Sequence, residues 1–170
     1  MSSSKPEHNI VASKISVEVV IESTTKQQIS IAKHLQRLFP NQPTKPTHQL
    51  LIQKSGIEVK LVDNKNTHKV DFSTIDRRVG GGNLSRRQIF PKAIGSTGHR
   101  VVDATAGFGG DAARLALMGY QVTAIEQSPI IAAMLQDAVA RSKKDNRLSL
   151  ALGDRLEVVE ANAIEWLLEH

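Results

Sequence analysis

The sequence of 170 residues contains no cysteine, no long apolar run and only six aromatic residues. The absence of cysteine excludes disulfides, a cysteine nucleophile and cysteine-ligated metal or iron–sulfur sites. No apolar run approaches the roughly 18 residues that a transmembrane helix requires. The polar N-terminus lacks the apolar core of a secretory signal, so we expect a cytoplasmic protein. The six histidines show no metal-ligand spacing, so we expect no metal site.

Basic residues are concentrated in the first part of the chain. Residues 1–102 contain 16 Lys and Arg against 7 Asp and Glu, whereas residues 103–170 contain 6 against 10. Such an uneven distribution indicates that the first part contacts a polyanion. A basic surface that is merely solvated is the alternative.

Residues 1–72 have the pattern of a small α+β subdomain. Alternating β-branched residues indicate strands, and a threonine before a partly apolar stripe indicates a capped helix. In chain order we predict a strand over 15–21, a helix from Thr24 or Thr25 to about Leu38, a hairpin of 48–53 and 57–63 around Gly56, a polar loop over 63–69 and an extended segment over 70–72.

Residues 99–170 alternate between short apolar strands and amphipathic helices. The predicted order is a strand that ends at Asp103, a helix that ends at Gly119, a strand over 120–125, a helix from Ser128 to about Lys143, a strand over 155–160 and a helix from Asn162 or Ala163 to Leu168. This alternation is typical of the Rossmann-like α/β class, with a doubly wound parallel sheet. Three strands make only the N-terminal half of such a sheet, so we expect a partial domain.

Ligands of such sheets bind at the carboxyl ends of the strands. Here that position holds a glycine-rich loop with Gly107 and Gly109, whose small residues allow a ligand to approach the backbone closely. Together with Ala112, the two glycines also match a dinucleotide-binding fingerprint, although so short a match has little specificity.

The carboxylates around this loop indicate which ligand it takes. Asp103 precedes the glycines and Asp111 follows them at the helix start, where they would repel a pyrophosphate. They suit a ligand with an ammonium and a sulfonium group, such as S-adenosylmethionine. Glu126, at the end of the second strand, can accept hydrogen bonds from both ribose hydroxyls. For Asp111, stabilisation of the helix dipole is the alternative role.

The chain resembles the ribosomal RNA small subunit methyltransferase J family most strongly in the segment VVDATAGFGGDAARLALMGYQVTAIEQSPIIAAMLQDAVAR. The resemblance extends to VDF at 70–72 and to the Arg and Gly residues that follow. That family methylates the exocyclic N2 of a guanine in small-subunit (16S) ribosomal RNA. The resemblance implies a Rossmann-like methyltransferase fold, S-adenosylmethionine as cofactor, and the small-subunit RNA or the 30S-type subunit as partner. The cofactor contacts that it implies are Gly110, Asp111, Glu126, Gln127, Asn162 and Ala163.

The chain departs from the family pattern at three places. Gly110 stands where Arg is common, and Asn162 and Ala163 stand where a pair of Ser is common. The Asp-Pro-x-Phe-Pro motif, expected to hold the target amine, does not occur in these 170 residues. No catalytic residue can therefore be named, and we expect the 170 residues alone to be inactive.

Residues 73–98 form a basic bridge rich in Gly and Arg. From Arg77 to Val102 the chain has six basic residues and no acidic one. Guanidinium groups bind phosphates and stack on bases, so we predict RNA contacts at Arg77, Arg78, Arg86 and Arg87. The alternative is a solvated loop. The scarcity of aromatic residues argues against a stacking platform for many bases.

Two other functions remain open from the sequence. An NAD(P)-dependent oxidoreductase would use the glycine fingerprint and Glu126, and it would bind NADH without binding S-adenosylmethionine. A non-catalytic RNA-binding module would keep its RNA affinity when the cofactor pocket is mutated.

Overall fold

The computed structural model describes residues 16–22, 25–40, 43–64, 66–75, 89–94, 99–152 and 154–170. Its strands are β1 Val17–Ile21, β2 His48–Gln53, β3 Gly56–Leu61, β4 Thr67–Lys69, β5 Arg100–Asp103, β6 Gln121–Glu126 and β7 Leu156–Glu160. Its helices are α1 Lys26–Leu38, α2 Ile89–Ile94, α3 Gly110–Leu117, α4 Pro129–Ser142, α5 Asn146–Leu152 and α6 Ala163–Glu169, with a short 3-10 helix at Phe72–Thr74. Among these described helices, none has both the length and the apolar composition needed to cross a bilayer.

The first four strands form one sheet in sequential order. β1 pairs in parallel with β2, and α1 connects these two strands. β3 pairs antiparallel with β2 and with β4. α1 begins with a capping box, because the Thr25 hydroxyl accepts from the Gln28 N–H and the Gln28 side chain accepts from the Thr25 N–H. The predicted first strand, capped helix and hairpin are confirmed.

Two predictions for residues 63–72 are correct only in part. The expected polar loop contains β4, which pairs with β3 and brings the Lys69 ammonium within 3.7 Å of the Glu58 carboxylate. β4 is short, polar and at the sheet edge, so its residues carry no apolar alternation that could reveal it. The expected extended segment ends in a 3-10 helix that begins at Phe72, because the Asp71 carboxylate accepts from the Ser73 N–H at 2.9 Å and caps that turn.

The last three strands form a second sheet in the order β5-β6-β7, and all pairings are parallel. α3 joins β5 to β6, and α4 lies between β6 and β7, so the predicted strand–helix alternation is confirmed. α5 was not predicted. Asp145 starts it by accepting from the Arg147 and Leu148 N–H groups, and Leu148 and Leu152 are buried in the core.

One hydrophobic core runs through both sheets. α4 packs against β3 of the first sheet and against β6 and β7 of the second, and α1 packs against α4. Leu35 and Ile57 from the N-terminal part therefore share a buried cluster with Met134 and Leu135 of α4. The division into 1–72, 73–98 and 99–170 remains a prediction. The described residues of 1–72 and of 99–170 pack against each other through apolar side chains.

A buried polar network also joins the two sheets. The Asp137 carboxylate on α4 accepts from the Gln28 side chain at 2.9 Å, from the Ile57 backbone N–H at 3.1 Å and from Arg141 Nε at 2.8 Å. Arg141 also donates to the Val70 carbonyl. Asp137 is almost fully buried, so its charge is compensated by these donors instead of by water.

Candidate functional site

Three acidic residues end the three parallel strands. Asp103 closes β5, Glu126 closes β6 and Glu160 closes β7. In the register of the sheet, Asp103 lies opposite Ala124 and Glu126 lies opposite Glu160. Neighbouring strands are about 4.8 Å apart, so the carboxylates follow one another along the carboxyl edge of the sheet. The sequence predicted this position for Asp103 and Glu126.

The glycine loop connects this edge to α3. The Ala106 N–H donates to the Ile125 carbonyl, and the Gly109 N–H donates to the Ala106 carbonyl at 2.7 Å. Gly107 and Gly109 both have left-handed backbone angles, with φ of 51° and 70°. A Cβ on Gly107 would meet nothing within 4 Å, whereas one on Gly109 would collide with the Leu135 side chain. Gly109 therefore lets the loop pack on α4, and Gly107 faces open space.

Two backbone N–H groups hold the Glu126 side chain, one from the glycine loop and one from the start of α4. One carboxylate oxygen accepts from the Gly107 N–H at 2.9 Å, and the other accepts from the Ser128 N–H at 2.7 Å. A carboxylate oxygen has two lone pairs, so, counting donors from the described part of the chain, each oxygen retains one for a further donor. The side chain is thus fixed in orientation and can still accept two hydroxyl groups.

Asp111 forms an ion pair at the start of α3. Arg114 Nη1 donates to its carboxylate at 2.8 Å, and the Asp111 side chain is 63% exposed whereas that of Arg114 is 40% exposed. Gly110, the residue before Asp111, has room for a side chain, since a Cβ there would meet only Arg114 Nη1 at 3.9 Å. The predicted acidic residue is therefore at the loop, with a basic partner that sequence reasoning did not identify.

The remaining predicted cofactor residues follow β6 and β7. Gln127 is the exposed residue after β6. Asn162 caps α6, because its side-chain oxygen accepts from the Ile164 and Glu165 N–H groups, and Ala163 is the first residue of that helix. The Ala161 N–H donates to the Glu126 carbonyl, which ties the two strand ends together. All these residues therefore lie at the same edge as Glu126.

Sequence reasoning missed the contact between His34 and Glu160. His34 Nε2 on α1 lies 3.0 Å from the Glu160 carboxylate at the end of β7. The two residues are 126 positions apart, so no local pattern could have revealed the contact. It brings the N-terminal helix to the edge where the candidate site lies.

The predicted RNA-contacting residues Arg77, Arg78, Arg86 and Arg87 lie outside the described residues. Their role therefore remains a prediction. Across the described ranges, no group of three or more His, Asp or Glu side chains is arranged to hold a metal ion.

Comparison with known proteins identifies the family. Residues 33–170 match a family described as putative SAM-dependent methyltransferase, where SAM is S-adenosylmethionine. The chain is 36% identical over 132 residues to the ribosomal RNA small subunit methyltransferase J of Aeromonas hydrophila, covering 72% of this chain and 52% of that protein. It is 32% identical over 163 residues to the protein of the same name from Aeromonas salmonicida, covering 89% and 62%. The chain thus spans about half to three fifths of these relatives.

A solved structure supports the same assignment. The SAM-dependent methyltransferase from Neisseria gonorrhoeae superposes with a TM-score of 0.67 at 29% identity, over 89% of this chain and 61% of that one. This similarity confirms the predicted Rossmann-like methyltransferase fold, and the named relatives confirm the resemblance found in the sequence. Because the matched family covers residues 33–170, from within α1 through α6, the chain belongs to the putative SAM-dependent methyltransferases.

Proposed function

We propose that this chain binds S-adenosylmethionine at the carboxyl edge of the second sheet. It would thereby supply the methyl donor for methylation of the exocyclic N2 of a guanine in small-subunit (16S) ribosomal RNA. The observation that carries the proposal is Glu126, whose carboxylate is held by two backbone N–H groups and, among the described residues, keeps a free lone pair on each oxygen. A ribose diol needs two such acceptors side by side.

The other residues at the edge fit the same cofactor. The open space above Gly107 allows a ligand to lie against the loop backbone. Asp103 and Asp111 supply negative charge for the ammonium and sulfonium groups. The same charges disfavour the pyrophosphate of a dinucleotide, which makes an NAD(P)-dependent oxidoreductase the weaker alternative. The cofactor-binding set is Asp103, Gly107, Gly109, Gly110, Asp111, Glu126, Gln127, Asn162 and Ala163.

The protein contributes to the proposed reaction by positioning the cofactor and the target guanine. When bound, S-adenosylmethionine would supply a methyl group on its sulfonium; the guanine amine would displace the neutral thioether in line and lose a proton after the attack. Glu126 would hold the ribose, and the loop from Asp103 to Asp111 would hold the amino-acid end. Holding the reactants in line and excluding water can account for roughly 7–11 kcal/mol of barrier lowering. The guanine has to leave its stack to reach the donor.

Small-subunit ribosomal RNA, free or in the assembled subunit, is the proposed partner, which places the protein in the cytoplasm. The basic bridge, through Arg77, Arg78, Arg86 and Arg87, would hold the RNA backbone immediately before β5. Support comes from the run of six basic residues without an acid and from the names of the related proteins.

The test is a calorimetric titration of the 170-residue chain with S-adenosylmethionine and, separately, with NADH. We expect binding of the first only. Binding of NADH alone would favour the oxidoreductase. A chain that binds RNA but neither cofactor would favour the non-catalytic RNA-binding module.

A further inference from the structure

Arg114 lies beside the glycine loop, and the sequence analysis did not include it among the candidate cofactor-binding residues. It lies one helical turn after Gly110, on the same side of α3. Gly110 has no side chain, and the group nearest to the space above it is Arg114 Nη1, 3.9 Å from where a Cβ would be. The guanidinium of Arg114 therefore occupies the region that a longer side chain at position 110 would fill.

The hydrogen-bonding capacity of Arg114 is only partly used. A guanidinium carries five N–H donors. Nη1 donates to Asp111, but Nε is buried and has no acceptor among the described residues. An unsatisfied buried donor is unfavourable and calls for an explanation. A carboxylate bound in the fork of the guanidinium, after a small rotation of the side chain, would satisfy it.

We propose that the Asp111–Arg114 pair recognises the amino-acid end of the cofactor. Arg114 binds the carboxylate and Asp111 binds the ammonium group. This inference rests on the proposed function, because it names a contact of the same site. The two side chains present opposite charges 2.8 Å apart, which matches the adjacent charges of an α-amino acid. The Asp111 carboxylate is 63% exposed and the ion pair lies at the surface, so exchanging its internal contact for contacts with a ligand costs little.

Positions 110 and 114 give access to the same space. Residues at i and i+4 lie on one face of a helix, and a Cβ at Gly110 would stand 3.9 Å from Arg114 Nη1. A guanidinium at position 110 would therefore reach the region that Arg114 occupies.

The experiment compares S-adenosylmethionine with decarboxylated S-adenosylmethionine, which keeps the sulfonium and the ammonium but lacks the carboxylate. Both are titrated into the 170-residue chain. We expect the wild-type chain to prefer the intact cofactor by about 10- to 100-fold, the range expected for one charge-assisted contact. In Arg114→Gln the preference should fall to about one, with little change in affinity for the decarboxylated compound.

Two variants control this result. Arg37→Gln removes one positive charge from α1 and should keep the wild-type preference. Gly110→Arg in the Arg114→Gln background returns a guanidinium to the same space and should restore the preference. Thermal unfolding checks that each variant is folded.

Each other outcome has a defined meaning. A preference that persists in Arg114→Gln, that is absent in the wild type, or that Gly110→Arg does not restore, would overturn the inference and leave the proposed function intact. If the folded wild-type chain binds neither compound, the proposed function itself fails, and this inference fails with it.

Discussion

The Glu126 carboxylate accepts a hydrogen bond from the Gly107 N–H at 2.9 Å and thereby fixes the glycine loop to the end of β6. Its second oxygen accepts from the Ser128 N–H, at the residue that caps α4. One side chain thus sets the positions of the loop, the strand end and the next helix. A group with this role is expected to affect both cofactor affinity and stability.

We predict that Glu126→Ala weakens S-adenosylmethionine binding by about 2–4 kcal/mol, because two charge-assisted hydrogen bonds to the ribose are lost. The two backbone N–H groups also lose their acceptor, so the free energy of unfolding should fall by roughly 1–3 kcal/mol while the fold is kept. Calorimetry and urea denaturation measure the two effects. Glu157→Ala, at an exposed position on β7, is the matched control. An unchanged dissociation constant would show that Glu126 does not bind the ribose.

The glycines of the loop should respond differently to alanine. Gly109→Ala combines a left-handed backbone, which costs roughly 1–2 kcal/mol, with a collision against Leu135 that costs about 1–3 kcal/mol more. In Gly110→Ala the added Cβ makes only an ordinary van der Waals contact with Arg114 Nη1 at 3.9 Å, so the change should be neutral or stabilise by up to about 1 kcal/mol. Urea denaturation of both variants is the measurement. Equal losses of stability would contradict the assigned packing of Gly109 on α4.

Most elements and the positions of the edge carboxylates could be predicted because their signals are local. Asp103 and Glu126 each follow an apolar run directly, and parallel strands bring such ends together. The contacts between the two sheets could not be predicted in this way. Gln28 meets Asp137 across 109 positions, and His34 meets Glu160 across 126. Such contacts depend on how α1 packs against α4, which no local periodicity specifies.

The network around Asp137 should contribute strongly to stability. Asp137→Ala leaves Arg141 without its carboxylate partner and the Ile57 N–H without an acceptor, deep in the contact between the sheets. Breaking a buried pair in this way costs about 3–5 kcal/mol. Urea denaturation should show this loss. Asp154→Ala removes a carboxylate that is 95% exposed and should change stability by no more than about 0.5 kcal/mol. An equally small effect of Asp137→Ala would mean that the buried network does not contribute to stability.

Asp71 should make stability depend on pH. Burial raises the pKa of its carboxyl, but the Ser73 hydrogen bonds and the charges of Arg141 and Lys69 outweigh burial and lower the pKa overall. A lowered pKa in the folded state stabilises the protein above the ordinary value of about 3.9. This stability is lost as the pH falls through the lower, folded-state pKa.

The corresponding measurement is the urea midpoint between about pH 5 and pH 2. Asp71→Asn should show a shallower loss of stability below about pH 4 than the wild type. Lys69→Gln removes one of the two positive charges that lower the pKa of Asp71. Its loss of stability below about pH 4 should lie between those of the wild type and Asp71→Asn. Superimposable profiles for the wild type and Asp71→Asn would contradict the lowered pKa.

The last prediction concerns RNA binding by the basic bridge. Replacing Arg77, Arg78, Arg86 and Arg87 with Gln should weaken binding to single-stranded RNA and flatten its salt dependence. Each lost phosphate contact lowers the slope of log affinity against log salt by about 0.7. Affinity for S-adenosylmethionine should not change, because none of the four belongs to the proposed cofactor set.

A second variant separates position from total charge. Replacing Lys26, Lys33, Lys45 and Lys60 with Gln also removes four positive charges, two from α1, one from the segment before β2 and one from β3. If the bridge holds the RNA, the arginine variant loses much more of the slope than the lysine variant, since counterions are released only where phosphates are contacted. Equal losses would indicate attraction by net charge alone. An unchanged slope in the arginine variant would mean that the bridge is a solvated loop and that the RNA is held elsewhere.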